Sequence, residues 1–464
     1  GMRKFFLIKR LFNKKSQRQK TGGDEMKREK WFISLTVVAT LILLLLVGMQ
    51  QGALAAKKPV VVGFIGSFAS DTGRSTLRGA EIAIEEMNAA GGVLGGRLIK
   101  FVKADSAEDV IEGIKAYEYL NEKEKVDFII SGSIDDVSLG WFPRMAEYRT
   151  PTLDTWTSSI LAIEMVRDEY EKYKMYFMNI GNDFALGEVF MQFGKDILAK
   201  EMGWKTAVIM QEDTAYAAGV YEWIKDQIAP AADIKIVDHV VYDVNSVDFS
   251  PVYNKIIKTN PDFIYLISSV KSQVPSSQYV KLQVPIPITG INVSAFGMEY
   301  WDDTGGMGGG MSTLVPPPSL GMELDPRTQK FLDKYKAKYG NSRPRYPHFN
   351  GFNAYYGMYN AMNAAERAGG FKPLDKWVKE MENADIKLYK DGKLWLRYAY
   401  WKPGEKEPKT GLTFPHNNRF DISPPLDEGH PPMVVIQWYK DGSVKTIYPK
   451  KYATGSFQVP DWTK

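Results

Sequence analysis

Apolar residues after residue 58 fall into short continuous runs separated by longer amphipathic stretches. The run PVVVGFIG at 59–66 has no charged position, which is typical of a strand buried on both faces of a parallel sheet. Residues 75–90 then repeat apolar side chains at helical spacing, namely Leu77, Ala80, Ala83, Ile84 and Met87. The pattern predicts a buried strand followed by an amphipathic helix.

The same alternation continues to about residue 156 and then begins again. Strand-like runs at 98–104, 126–132 and 150–156 accompany a helical stretch at 107–125. A second series of helical and strand-like stretches follows, at 183–203, 205–210, 217–229, 234–242, 247–269 and 284–290. Because a repeated βαβα order favours a parallel sheet covered by helices, the two series predict an α/β protein with two lobes.

Two later segments depart from this alternation. Residues 302–326 are rich in Gly and Pro and predict a crossing or hinge segment rather than the interior of an element. Nearer the C-terminus, Asp441-Gly442 between two alternating apolar runs predicts a β-hairpin. Helical patterns occupy 326–340 and 349–370 between them.

A basic and then apolar stretch precedes the first predicted strand. From Met26 the chain has a basic start, an apolar run over 31–49 and a small-x-small triplet that ends at Ala55. This order predicts a signal peptide over 26–55 after an upstream extension, so that residues 1–56 lie outside the fold and the protein is periplasmic or otherwise extracytoplasmic. A retained membrane anchor is the alternative, because the apolar run is long enough to span a bilayer.

The positive charge of the chain is concentrated in this leader. The chain has 59 Lys and Arg against 55 Asp and Glu, and residues 1–56 contain 11 of the basic and 3 of the acidic residues. Residues 57–464 therefore have 48 basic and 52 acidic residues, a net charge of −4. Such a domain has no general electrostatic attraction for nucleic acid. The absence of cysteine excludes disulfides, thiolate metal sites and a thiol nucleophile.

Four glycines form a dense cluster at Gly91, Gly92, Gly95 and Gly96. A dinucleotide-binding motif would need its glycines at the start of the helix that follows the first strand, whereas this cluster follows the end of that helix. We therefore interpret the first two glycines as a helix C-cap and the last two as a turn with positive φ.

The motifs of catalysis and metal binding are missing from the sequence. None of the four histidines has metal-ligand spacing: His239, His348, His416 and His430. His416 and His430 are expected on the surface, and the Asp pairs at 135–136 and 302–303 are interpreted as helix caps or solvated turns. Since no motif joins a nucleophile to a base, we predict a protein that is not an enzyme and that needs no metal or cofactor.

The loops that follow the predicted strands are rich in hydroxyl, acidic and aromatic side chains. They are SFASDTG (67–73), SGSIDD (131–136), DTWTSS (154–159), QEDTAY (211–216), SSVKS (268–272) and GINVSAFG (290–297). Ligands of open α/β sheets bind at this end of the strands. We therefore predict a ligand-binding cleft between the two lobes.

The stretch 60–105 resembles the opening of the branched-chain amino-acid type of periplasmic solute-binding proteins of ABC transporters, the extracellular ligand-binding receptor family. The stretch 247–266 resembles the second-lobe signature of that family. The resemblance implies a two-lobed type I fold with mainly parallel sheets, a three-segment hinge and closure over a small molecule. It also implies the extent of the lobes: 57–180 plus about 313–410 for lobe 1, and 181–312 plus about 411–464 for lobe 2.

Local alignment with the family implies which residues contact the ligand. They are Asp71, Thr72, Ser133, Asp135, Trp156 and Ser158 in the first lobe, and Tyr216, Ser269 and Asn292 in the second. Asp135 lies near the position where the family binds a carboxylate, and Asn292 lies where the family tends to have an acid for the α-ammonium group. These departures argue against an aliphatic amino acid, whereas Trp156 and neighbouring tyrosines can stack on an aromatic or cationic solute.

From this resemblance we expect a monomeric protein that captures a small polar or aromatic solute, an amino acid or a related compound, and delivers it to an ABC importer by hinge closure. Its partners would be the solute and a membrane permease, and not nucleic acid. A ligand-sensing domain that reports occupancy to a membrane receptor is an alternative, as is a hydrolase on the same fold.

Overall fold

Five parallel strands form the first sheet of the computed structural model, which describes residues 57–463 apart from 424 and 427–432. The strand order is β2-β1-β3-β4-β5. The strands are β1 (Val60–Gly66), β2 (Ile99–Asp105), β3 (Phe128–Gly132), β4 (Thr152–Asp154) and β5 (Tyr176–Met178). β1 is buried along its whole length and pairs with both β2 and β3, as its continuous apolar run predicts.

The second sheet has seven strands in the order β14-β13-β10-β9-β8-β6-β7. They are β6 (Thr206–Glu212), β7 (Lys235–Tyr242), β8 (Phe263–Ser268), β9 (Ile288–Asn292), β10 (Ser312–Val315), β13 (Val434–Trp438) and β14 (Val444–Tyr448). The strands from β6 to β10 are parallel, and β13 and β14 add antiparallel pairings at one edge. The predicted α/β class with mainly parallel sheets is confirmed.

Helices follow most strands, as the alternating pattern predicts. Around the first sheet they are α1 (Asp71–Ala89), α2 (Val110–Glu122), α3 (Asp135–Tyr148), α4 (Ile160–Asp168) and α5 (Tyr170–Tyr173). Between β5 and β10 lie α6 (Asp183–Phe193), α7 (Ala215–Trp223), α8 (Ala229–Ala231), α9 (Ser250–Thr259), α10 (Gln273–Lys281) and α11 (Tyr300–Asp303). Short π and 3₁₀ segments extend these elements at Gly194–Glu201, Ile224–Ile228 and Val293–Phe296.

The chain after β10 returns to the first sheet. There it forms α12 (Pro326–Tyr339), α13 (Phe349–Ala368), α14 (Leu374–Glu382) and a hairpin of β11 (Asp385–Lys390) and β12 (Lys393–Ala399). A 3₁₀ turn, Lys450–Tyr452, follows β14. α13 packs on α1 so closely that a Cβ atom on Gly79 would lie 2.0 Å from the carbonyl oxygen of Gly351. Glycine at this position therefore permits backbone contact between the two helices.

Over the described residues the chain passes three times between the two sheets. The crossings lie between β5 and α6, between β10 and α12, and between β12 and β13. Three crossings agree with the three-segment hinge implied by the resemblance. They leave the carboxyl ends of the parallel strands as the place where loops from both sheets can meet a ligand.

The Gly- and Pro-rich segment 302–326 differs in part from its prediction. Its residues Ser312–Val315 form β10, which is fully buried and pairs with β9 and β13. The prediction that this segment contains no strand or helix interior was wrong here. Four buried residues between glycines and prolines are enough to form a strand when β9 and β13 pair with it on either side.

Two local turn predictions are confirmed. Gly91, Gly92, Gly95 and Gly96 all have positive φ, between 73° and 102°, just after the end of α1. The hairpin between β13 and β14 turns at Gly442, whose φ is +80°. Both turns need glycine because other residues are strained in this region of φ.

The predicted signal peptide at 26–55 and the upstream extension lie outside the described residues. Within the part of the chain that the structure describes, no helix has the length and apolar character needed to cross a membrane.

Candidate functional site

Hydroxyl and carboxylate side chains gather at the carboxyl ends of the strands in both sheets. In the first sheet Ser133 and Asp135 follow β3 and Ser158 follows β4, and in the second sheet Glu212 ends β6 and Tyr216 lies at the start of α7. This edge of each sheet is where the sequence predicts the cleft.

Asp154, the last residue of β4, fixes the shape of the loop that follows it. Its carboxylate is fully buried and accepts hydrogen bonds from Ser138 Oγ at 2.8 Å and Thr157 Oγ1 at 3.0 Å. It also accepts the backbone N–H groups of Trp156 and Thr157, each at 3.0 Å. Burial still raises the pKa of Asp154 above its ordinary value. The bonds position the next residues, including Ser158, at the edge of the sheet.

Ser158 connects two carboxylates that come from different parts of the chain. Its backbone N–H donates to Asp135 Oδ1 at 3.0 Å, and its Oγ donates to Asp183 Oδ1 at 2.8 Å. Asp135 begins α3 beside the first sheet, and Asp183 begins α6 at the first crossing toward the second sheet. The partial positive charge of each helix N-terminus favours a carboxylate at these positions.

Both carboxyls have pKa values above their ordinary range. Burial and the negative charge of Asp183 raise the pKa of Asp135 to about 7, although Ser158 donates to it. Burial also raises the pKa of Asp183, opposed by hydrogen bonds from Ser158 and Ile160. A pair of carboxyls with raised pKa values is typical of a functional site, because an uncompensated buried charge is costly.

Tyr216 approaches this carboxylate pair from the second sheet. It follows β6 on α7 and is 43% exposed. Crowding by protein atoms and the negative charges of Asp183 and Asp135 raise the pKa of its hydroxyl. A tyrosine of the second sheet is therefore brought near two acids held on the first sheet and the crossing.

Glu212 organises the facing edge of the second sheet. It is fully buried at the end of β6 and accepts the hydroxyls of Ser268 at 3.2 Å and Thr214 at 3.2 Å, and the N–H of Val270 at 2.8 Å. The hydroxyl of Ser269, a predicted contact residue, also donates to Glu212. Ser269 thus lies beside a buried acid rather than alone at the cleft.

Asn292, predicted as a ligand contact, has its side chain engaged inside the protein. Its Oδ1 accepts Ser272 Oγ at 2.7 Å and the N–H of Ala295 at 3.1 Å, and its Nδ2 donates to Ser276 Oγ at 2.9 Å. The residue is fully buried at the end of β9. These bonds cap the 3₁₀ turn Val293–Phe296, which gives Asn292 a structural role.

Asp71 and Thr72 lie at the start of α1 and are also bonded within the protein. Asp71 forms ion pairs with Arg74 at 2.5 Å and with Arg343 at 2.6 Å. Arg343 in turn pairs with both oxygens of Asp303, at 2.8 Å and 2.6 Å. The Thr72 hydroxyl lies 3.1 Å from that of Ser70. Asp71 therefore connects α1 to the second sheet through Arg343.

One cluster of possible metal ligands lies next to this connection. Asp71, Glu299 and His348 place one donor atom each within 4.8 Å of one another. The His348 nitrogens and Glu299 Oε2 are buried without hydrogen-bond partners among the described residues. Three guanidinium groups already bind the two carboxylates, those of Arg74, Arg343 and Arg345. Because their positive charges oppose a divalent cation, we interpret the cluster as part of the contact between the sheets.

The remaining two predicted contacts are an aromatic residue and a serine. Trp156 stacks on Phe349, with ring centroids 5.2 Å apart and an interplanar angle of 14°. Phe349 also meets Phe296 edge-on at 6.2 Å, so aromatic rings bridge the first and second sheets. Ser133 is 1% exposed, and its Oγ has no hydrogen-bond partner among the described residues.

The expectation for His416 was wrong. His416 is fully buried, its ring stacks on Phe177 at 4.0 Å, and its Nε2 lies 2.9 Å from Glu382 Oε1. The surrounding Pro-rich sequence indicates a turn but does not reveal that β5 and α14 enclose it. His430 lies outside the described residues.

The comparison that decides the family is a match over most of the fold. A family model described as Periplasmic binding protein matches residues 59–396. The chain belongs to the periplasmic binding protein family. Among curated relatives, the Leu/Ile/Val-binding protein homolog 8 of Brucella abortus (strain 2308) is 24% identical over 410 residues, which covers 82% of this chain and 87% of the relative.

Solved structures of periplasmic binding proteins share the fold. A putative branched-chain amino acid ABC transporter from Silicibacter pomeroyi has a TM-score of 0.67 at 18% identity and covers 87% of this chain and 100% of its own. A solute binding protein of R. palustris in complex with benzoate has a TM-score of 0.64 at 17% identity, over 86% and 99%. LivJ from Streptococcus pneumoniae in complex with isoleucine has a TM-score of 0.63 at 16% identity, over 84% and 100%. At these identities the likeness shows the fold alone.

Membership in the periplasmic binding protein family answers several questions left open by the sequence. Members of the family bind small molecules outside the cytoplasm as components of ABC transporters. The family and the related structures are solute-binding proteins and not enzymes. The resemblance implied by residues 60–105 and 247–266 is therefore confirmed.

Two acids of this periplasmic binding protein were missed by sequence reasoning, Asp183 and Glu212. Both lie at or just after the carboxyl end of a buried strand, the same signal that selects Asp135. Asp183 appeared only as the first residue of a helix, and Glu212 only as part of a polar loop. Their proximity to Ser158, Ser269 and Tyr216 depends on contacts between distant segments.

Proposed function

We propose that this chain is an extracytoplasmic solute-binding protein that captures a small polar or aromatic solute, an amino acid or related compound, between its two lobes by hinge closure. The solute is delivered to the membrane permease of an ABC importer. The protein is exported by the signal peptide at 26–55 and acts as a monomer. Lobe 1 comprises 57–180 plus about 313–410, and lobe 2 comprises 181–312 plus about 411–464. β10 (Ser312–Val315) lies at the boundary between these ranges and is counted with the second sheet.

The observation that carries the proposal is the convergence of Asp135, Ser158, Asp183 and Tyr216. Ser158 and Asp135 follow strands of the first sheet, Asp183 lies on the first crossing and Tyr216 follows a strand of the second sheet. Groups on both sides of a crossing change their separation when the lobes rotate, so a solute that contacts all of them favours the closed form.

The relatives add support of a general kind. The proteins named above include one in complex with isoleucine and one in complex with benzoate. A fold that accommodates either an amino acid or an aromatic acid in other proteins is compatible with a polar or aromatic solute here, and the side chains of this chain decide which.

The proposal is tested by screening the purified protein for stabilisation by small molecules. Amino acids, amides, polyamines and aromatic acids are each added while the melting temperature is recorded, and hits are measured by calorimetry. A solute present at 100 times its Kd raises stability by about 2.7 kcal/mol, which for a chain of this size shifts the melting temperature by several degrees. If no small molecule raises the melting temperature and the protein instead binds another protein, the proposal fails.

Delivery to a permease needs a separate measurement. A strain that lacks this chain is expected to lose uptake of the identified solute, and the chain expressed in trans to restore it. Turnover of the solute by the purified protein would contradict a pure binding role.

A further inference from the structure

We propose that the solute carries a net positive charge, as an amine, amidine or guanidine without a carboxylate does, and that Asp135 and Asp183 bind this charge together. The inference rests on the proposed function, since it names the chemical class of solute for the same cleft.

The two carboxylates are held by one residue. Ser158 donates to both, through its N–H to Asp135 and through its Oγ to Asp183, at 3.0 Å and 2.8 Å. A single residue therefore holds both acids within reach of one small cation. Their negative charges repel each other, and a cation placed between them removes that repulsion.

Neither carboxylate is paired with a basic side chain of the described part of the protein. Among the described residues, no Lys, Arg or His forms an ion pair with Asp135, Asp183 or Glu212. Two buried acids elsewhere in the chain do have such partners, since Glu188 pairs with Lys409 and Glu299 with Arg345. The fully buried Asp154 has no ion pair, but it accepts four hydrogen bonds. Asp135 and Asp183 accept fewer hydrogen bonds and lie half-buried, so a ligand can supply the positive charge that the protein does not.

Polar and aromatic residues surround the two carboxylates. Ser133 lies two residues before Asp135, is 1% exposed and has an Oγ without a hydrogen-bond partner among the described residues. This hydroxyl is free to accept an N–H of the solute. Tyr216 lies at the start of α7 beside the opposite sheet and is 43% exposed, and the face of a tyrosine ring is a favourable neighbour for a cation.

The charges of the site also determine which solutes bind weakly. A solute with a carboxylate and no positive group would add a third negative charge beside Asp135 and Asp183. A neutral solute would leave their repulsion in place. The site therefore discriminates by charge between molecules of one shape.

The test uses a set of three probes with nearly the same planar shape and different charge: benzamidine, benzamide and benzoate. The same design is applied to aliphatic amines and guanidines, each compared with its neutral amide and its carboxylate, and isoleucine is included. Binding to the full chain is measured by thermal shift and calorimetry at pH 8. We expect at least one cationic member to bind ten times more tightly than its neutral and anionic counterparts.

Two variants connect this preference to the acids. Asp135→Asn and Asp183→Asn keep the size of each side chain, and Asn can still accept the hydrogen bonds from Ser158. Each is expected to weaken binding of the cationic probe tenfold or more and to reduce its difference from the neutral probe. Asp136→Asn is the matched control, because Asp136 lies in the same turn of α3 but is exposed; its affinity should match that of the unchanged protein.

The outcomes separate this inference from the proposed function. Tighter binding of benzoate, benzamide or isoleucine than of every cation overturns the inference and leaves a solute-binding protein. Equal loss of affinity in Asp135→Asn, Asp183→Asn and Asp136→Asn also overturns it. If no probe or solute of any charge binds, the proposed function fails first and the inference fails with it.

Discussion

Ser158 Oγ donates a hydrogen bond to Asp183 Oδ1 across 2.8 Å, joining the loop after β4 to the first residue of α6. The backbone also closes this contact, since the N–H of Asp183 donates to the carbonyl oxygen of Ser158 at 2.9 Å. The first crossing between the sheets is therefore anchored at the same residue that contacts Asp135. Ser158 therefore contacts both the first crossing, through Asp183, and the candidate site, through Asp135.

Replacement of Ser158 by alanine tests this anchor. The change removes a hydrogen bond to a charged acceptor and leaves the backbone contacts in place, so we expect the free energy of unfolding to fall by about 1–2 kcal/mol. Urea unfolding measures the loss. Ser277→Ala is the control, because its hydroxyl donates to a backbone carbonyl oxygen in α10; it should cost less than about 0.5 kcal/mol. Equal losses of stability in the two variants would show that the contact with Asp183 stabilises the protein no more than an ordinary hydrogen bond does.

The raised pKa of Asp135 predicts a dependence of stability on pH. Its pKa is about 7 in the folded protein against an ordinary value of 3.8. Between these values the folded protein keeps a proton that the unfolded chain has released, so the contribution of this group makes the ligand-free protein less stable as pH rises from 4 to 7. The neighbouring acids Asp183 and Asp154 act in the same direction, since burial raises their pKa values too.

Asp135→Asn separates this group from the others. At pH 8 the variant should unfold at a higher urea concentration than the unchanged protein, and near pH 3 the difference should become small, because Asp135 is then largely protonated in both states. Asp136→Asn, measured at the same pH values, should show no such gain. A variant that is destabilised equally at pH 5 and pH 8 would show that Asp135 stabilises the fold as a carboxylate.

Arg343 is expected to favour the closed arrangement of the lobes. It joins Asp71 of α1 to Asp303 of α11, and α11 is attached to the second sheet by stacking of Trp301 on Trp438. The arginine is 49% exposed, so its pairs contribute only about 0–1 kcal/mol. Arg343→Gln should therefore leave the unfolding transition nearly unchanged and raise the radius of gyration of the ligand-free protein in X-ray scattering.

The same variant should bind its solute more weakly, by about fivefold if 1 kcal/mol of closure energy is lost. Lys440→Gln is the control, since Lys440 pairs with Asp461 at 2.9 Å at the surface near the second sheet. A radius of gyration and an affinity unchanged in Arg343→Gln would show that the ion pairs do not influence closure.

Backbone contact between α1 and α13 predicts a strong effect at Gly79. A Cβ atom there would lie 2.0 Å from the Gly351 oxygen, and neither helix can give way without moving the start of α1. We expect Gly79→Ala to destabilise the protein by about 1–3 kcal/mol or more. Gly219→Ala is the matched control: Gly219 is also helical, but nothing lies within 4 Å of an added Cβ. That change should raise stability by up to about 1 kcal/mol. A neutral Gly79→Ala would mean that the helices can separate.

Much of the fold could be predicted because its signals are local. Continuous apolar runs mark β1, β3 and β8, and the glycines at 91–96 mark the turn after α1. β10 could not be predicted in this way, since its four residues become a strand only by pairing with β9 and β13. His416 was misplaced for the same reason: its burial depends on β5 and α14, far away in sequence.

The candidate site could likewise be predicted only in part. The order of strands and helices predicted that acidic and hydroxyl residues gather after the strands. It did not predict whether each side chain faces a ligand or a neighbouring residue of the protein. Asn292 caps a turn, Asp71 pairs with arginines, and Ser269 donates to Glu212.

The sequence by itself determined the alternation of strands and helices, the acidic character of residues 57–464 and the edge of the sheets where polar loops collect, because each depends on neighbours along the chain. Only the tertiary structure decided that Asp135 and Asp183 meet at Ser158 while Asp71 is neutralised by Arg343. The charge of a carboxylate acts over a few ångströms of space, and Ser158 and Arg343, which make these contacts with Asp135 and Asp71, are 23 and 272 positions away in sequence.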